Sequence, residues 1–183
     1  QGAWEVLRLY TFQSFEDGIY RRNAVLETNR EVQYHLADIP LPNGVLRIDK
    51  VSVPEPTSIR LGHYALPKVE GMEFGIERCK KVPEATIISN GEHKLATIPL
   101  HGWDNTSVLY PTGIHPVSEQ CCFIMNEKAV DGEHIIATLQ LWKKGNKSFT
   151  KKELTPVTEV KVADDLSSVA ITFADKTVKT VKF

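Results

Sequence analysis

The chain has 183 residues, 42% of them hydrophobic and 25% charged, with a formal net charge of −1. Those proportions exclude intrinsic disorder, and the scattered placement of its 22 basic residues excludes the electrostatic footprint of a nucleic-acid binder. No run of about 18 apolar residues occurs, so no membrane-spanning helix and no membrane partner are expected.

In chain order, Gln1-Gly2 looks like the tail of a protease-cleavable expression linker, which would start the native sequence near Ala3. Asp17 to Arg30 is the one segment with any claim to be a short helix, although its apolar spacing is poor. Val32, Tyr34 and Leu36 then alternate with Gln33 and His35, the period of a strand with one buried face. Asn43-Gly44 introduces a strand from Val45 to Val53.

Ser58 to Pro67 is the first stretch that joins polar, aromatic and imidazole groups. Alternation puts Ile59, Leu61, His63 and Ala65 on one face, and Arg60, Tyr64 and Leu66 on the other. Arg60 and Tyr64 are ligand-binding candidates on an exposed sheet face. The competing reading, an ordinary central strand with His63 satisfied in or near the core, fits the pattern better.

Asn90-Gly91 separates two apolar runs, and an Asn-Gly pair there predicts a type I′ hairpin with positive φ at both central residues. Leu100 to Pro116 departs from strand rhythm and reads as a long surface connection. Trp103 and Tyr110 offer flat apolar faces suited to sugar rings, with Asp104 and Asn105 beside them for hydroxyl groups. His101 and His115 are general-base candidates if a neighbour supports them. No short metal-ligand motif accompanies His101, Asp104 and His115, so no metal and no cofactor are expected. No nucleophile–base spacing and no Gly-x-Ser-x-Gly elbow points to a catalytic residue.

Cys79, Cys121 and Cys122 are odd in number. The adjacent pair lies in an apolar run, where free cysteine serves as a small core residue, and a reducing compartment is slightly favoured. Asp131-Gly132 introduces the clearest strand of all. Ile135, Ala137, Leu139 and Leu141 define its buried face, with His134, Thr138 and Gln140 on the wet one. The basic run at Lys143, Lys144, Lys147, Lys151 and Lys152 reads as a solvated loop around Gly145-Asn146. Thr158 to Val162 and Val169 to Phe173 alternate again, and Asp175-Lys176 closes a last hairpin.

Roughly ten to twelve strands with turn signals between them, and no crossover helices, predict an all-β fold: a large antiparallel sandwich of two packed sheets. One domain over 3–183 is expected, with a small terminal sheet over 153–183 as the alternative.

Three stretches, Val45 to Val53, Arg60 to Pro67 and His101 to Asn105, together with this all-β pattern, resemble the β-sandwich portion of bacterial proteins that pair an α/α toroid with a large sandwich. Heparinase-like and hyaluronate-lyase-like polysaccharide lyases have this plan. The resemblance implies a non-catalytic accessory module of a larger carbohydrate-associated protein. Its partners would be a carbohydrate and an upstream domain of the same parent chain, and most catalytic groups would lie on the toroid. Two alternatives stand beside it: an interaction domain that packs on a missing partner domain, and part of a lyase or hydrolase active site reached through His63 or His101.

Overall fold

The computed structural model describes residues 12–27, 31–61, 65–109 and 121–183. It is all-β, with two hydrogen-bonded sheets and one short helix among these residues. The large sheet holds β1 (Phe12–Glu16), β2 (Ile19–Glu27), β3 (Glu31–Leu41), β4 (Gly44–Leu61), β5 (Ala65–Pro67), β6 (Gly75–Cys79), β7 (Val82–Ser89), β8 (His93–His101), β9 (Asn105–Leu109) and β10 (Cys121–Lys144). Its order is β1-β2-β3-β4-β10-β8-β7-β6, with β5 and β9 also paired to β10. After α1 (Lys151–Leu154), the strands β11 (Val157–Val162), β12 (Ser168–Phe173) and β13 (Val178–Lys182) form the second sheet. Every pairing among the described residues is antiparallel, as expected from a sequence without crossover-helix signals.

The spine is the pair β4–β10, and it folds back on itself. Pro54 and Pro56 cannot donate to the ladder, and three β4 residues there face Asp131 alone, between the pairs Val53–Gly132 and Thr57–Val130. On the other edge of β10, β8 ends opposite Ala137 while β9 starts opposite Glu127. Only Gly102, Trp103 and Asp104 bridge that gap. Residues on either side of the fold therefore meet: Val51 and Val53 share a cluster with Ile59, Val130, Tyr34 and Ile136. Farther along, Leu66, Cys122 and Ile124 pack on Ile88 and Leu95. Asp131-Gly132, read from sequence as a strand start, is the bend inside one 24-residue strand.

The opposite face of the sheet is the main core. Leu46, Ile48, Ile135, Ala137, Leu139, Ile87 and Ile98 pack there with Phe149, Leu154, Val157, Val169, Ile171 and Val181. The small terminal sheet thus covers one face, and the folded-back strands cover the other. This is why Thr138 and Gln140, expected on a wet face, are buried. Removing the Leu139 side chain, which is fully enclosed, should cost about 2–5 kcal/mol of stability in urea denaturation.

Three local expectations change. Asp17 to Glu27 is a turn and a strand with no helix; residues 28–30 lie outside the described set. At Asn90-Gly91, positive φ is confined to Gly91 (φ +89). The Asn90 N–H donates to the His93 carbonyl, so Gly91 and Glu92 are the central residues, one position later than a type I′ Asn-Gly turn requires. The buried Asn90 side chain accepts from the Glu92 and His93 amides and donates to the Pro67 carbonyl, which pins the turn to β5. Finally, Ala65 is exposed and Leu66 buried, the reverse of the faces expected from alternation, which set Leu66 with Arg60 on the exposed side and Ala65 with Ile59 on the other.

Candidate functional site

The described candidates converge on the elbow between β8 and β9. Gly102 has φ +79, and a Cβ there would lie 2.6 Å from the Ile135 carbonyl oxygen, so the turn needs a glycine pressed against β10. Trp103 follows, half-buried against the cluster of Tyr34 and Ile136. Its Nε1 donates to Thr138 Oγ1 at 2.8 Å. The indole is therefore an internal wedge in the fold, with its polar edge already used.

Asp104 turns outward and clamps the elbow. Its carboxylate accepts from Lys128 Nζ and from the Ala129 N–H, each at 2.8 Å, while its own N–H donates to the Glu127 carbonyl. The Lys128 bond first, and the Ala129 amide second, hold the Asp104 carboxyl below its usual range. Register places Arg60, Glu127 and Asn105 in one row across β4, β10 and β9. Arg60 donates to Glu127 at 3.1 Å, and Ser58 to the same oxygen at 3.0 Å; those two bonds keep the Glu127 carboxyl low. The Asn105 side chain accepts from the Thr106 N–H.

Arg60, Asp104 and Asn105 thus lie together on an exposed polar strip with Glu127 and Lys128, two residues the sequence pattern did not single out. His101 is exposed and pairs with Ala137, beyond the elbow. No described histidine hydrogen-bonds to a carboxylate: His35 meets the Asn23 side chain, and His134 meets the Asp131 backbone. His63, Tyr64, Tyr110 and His115 lie outside the described residues. Among the described residues no group of three or more His, Cys, Asp or Glu side chains is arranged to hold a metal ion. Replacing Asp104 with alanine should speed amide exchange at Ala129 and leave the main core protected, which hydrogen-exchange mass spectrometry would show.

Sequence reasoning missed a second polar cluster, between the folded-back strands. Asp38 accepts from Arg47 Nε at 2.6 Å and Nη2 at 2.7 Å, and from Arg22 at 3.0 Å. Beside them Asp49 is fully enclosed, and neither carboxylate oxygen has a hydrogen-bond partner among the described residues. Burial, only partly offset by Arg47, pushes the Asp49 carboxyl up to about 7. Tyr34 is pushed up to about 12 by burial and by the Asp49 charge. A usable signal existed: Arg47 and Asp49 share their face with Val45, Val51 and Val53, too apolar a set for a wet surface.

No family model matches the chain, and no curated protein matches it in sequence. Solved structures do match it in fold. The heparan sulfate lyase HepC of Pedobacter heparinus superposes with a TM-score of 0.56 at 12% identity, over 94% of this chain and 28% of the lyase. A heparinase III structure gives 0.58 at 9% identity, over 94% of this chain and 27% of that one. A second heparinase III gives 0.54 at 13%, over 97% and 29%. The chain spans little more than a quarter of these structures, and at such identities the likeness is one of fold: this chain has the β-sandwich fold of a segment of the heparan sulfate lyases.

Proposed function

We propose that this chain is the sandwich segment of a larger bacterial polysaccharide-lyase-like protein, where it supports glycan cleavage rather than performing it. The observation that carries this reading is the asymmetry of coverage. Nearly the whole chain matches, and it matches little more than a quarter of each lyase. The engagement of the candidate side chains supports it too. Trp103, Asp104 and Arg60 are each bonded within the sandwich, as structural groups are, and not poised around a shared cleft. The variant reading, in which a side chain of this segment enters the active site of the parent protein, rests on His63, which lies outside the described residues, and on the exposed His101.

The test compares the isolated chain with its full-length parent on heparan sulfate, following the unsaturated product of eliminative cleavage by ultraviolet absorbance. The parent should cleave and the isolated chain should not. Cleavage by the isolated chain would overturn the supporting role, and an inactive parent would remove the lyase reading.

A further inference from the structure

Two basic runs that are far apart in sequence meet in the fold. The turn between β6 and β7 brings Arg78, Lys80 and Lys81 to one wall of a concavity of about 380 Å³, and Thr150 and Lys151 form the other. The carboxylate in this lining, Glu77, is ion-paired to the buried Lys94. Arg78 donates to Thr86 Oγ1 at 2.7 Å, which fixes its guanidinium beside the cavity. Lys80, Lys81 and Lys151 are exposed, and their ammonium groups form no ion pair among the described residues. Positive charge is thus concentrated at one concave place on a chain whose formal net charge is −1.

The shape and lining narrow the ligand. The cations stand on an exposed rim, as suits repeating anionic groups along a chain, whereas a single enclosed anion needs converging donors. The exposed residues Ser148 and Thr150 stand among them, Ser148 donating to Glu77 at 3.5 Å and the Thr150 hydroxyl accepting from the Glu153 N–H. The aromatic residue of the lining, Phe149, is buried, and Lys143 Nζ sits 5.4 Å from its ring centre. The concavity therefore offers no open ring on which a nucleobase could stack, the feature that single-stranded nucleic-acid sites rely on.

We propose that this concavity is an anion-binding site for an acidic polysaccharide, whose sulfate or carboxylate groups are held by Lys80, Lys81 and Lys151. The glycan class rests on the reading of the chain as a lyase segment; the site itself rests on the geometry. It lies on β6, the β6–β7 turn and the chain from Ser148 into the start of α1, away from the Asp104 elbow.

Titration calorimetry of the 183-residue chain at low salt tests this, with dextran sulfate, a polygalacturonate oligomer, neutral dextran and oligo-thymidylate as probes. One or both acidic glycans should bind, and the one that does identifies the anion. Reversing Lys80, Lys81 and Lys151 together to glutamate should weaken that binding by about tenfold or more, and raising the salt should do the same. A control reversal of the exposed Lys68 and Lys161 should change it far less. The proposal is overturned if neither acidic glycan binds, if neutral dextran or oligo-thymidylate binds as well, or if the control reversal is as damaging. A parent protein without lyase activity would remove the lyase reading and leave a positive binding result standing.

Discussion

Replacing Asp49 with asparagine will stabilise the folded chain at pH 8 relative to its effect at pH 4. Asp49 is enclosed between the folded-back strands, with its carboxyl raised from an ordinary value of 3.8 to about 7. Between those two values the folded state keeps a proton that the unfolded state has lost. Stability contributed by this group is therefore fully present below pH 3.8, falls as pH rises, and is gone above about 7. A shift of that size corresponds to about 4 kcal/mol. Asparagine carries no charge at either pH, and its own packing and hydrogen-bonding cost is the same at both. The measured quantity is thus the change in the mutant-minus-wild-type difference between urea titrations at pH 4 and pH 8. A difference independent of pH would mean that Asp49 is solvated or fully paired, and that the two layers do not close over it.

The second large effect is expected at the elbow. Gly102→Ala should cost about 3 kcal/mol, because a side chain at φ +79 is strained and its Cβ must also displace the β10 backbone at Ile135. Gly132→Ala separates the two contributions. Gly132 has a similar φ of +72, but nothing lies within 4 Å of a Cβ placed there. It should lose only the strain, about 1 kcal/mol. Equal losses at the two sites in denaturation experiments would show that the elbow does not press against β10 as described.

These two positions also mark how far the sequence could be read. Period-two alternation located the main core face: Ile135, Ala137, Leu139 and Leu141 are all buried. It misassigned Thr138 and Gln140, because alternation reports one buried face and cannot register a second layer folding over the other. That fold-back depends on contacts between residues on opposite sides of the Pro54–Pro56 bend, and a sequence window centred on either side does not hold both. Asp49 escaped notice for the same reason: on a wet face it would be ordinary. Arg60, Asp104 and Asn105 were singled out as candidates by composition, and the structure sets them near one another as groups bonded within the sandwich. Their partners Glu127 and Lys128 come from a strand that register alone sets beside them. The chain around Leu100 to Pro116, read as one long connection, holds the end of β8 and all of β9 before the residues outside the described set. The β-propensity of Thr106, Val108 and Leu109 was masked by the polar residues next to them. Cys122, read as a core residue, is one, at the contact between layers.

We propose that this sandwich works as a segment of a larger polypeptide. Intact-mass measurement of the protein isolated from its native source tests it most directly. Since the matched structures are nearly four times as long as the part this chain covers, the native mass should be several times the 20.6 kDa of this chain. A mature native protein close to 20.6 kDa would contradict it.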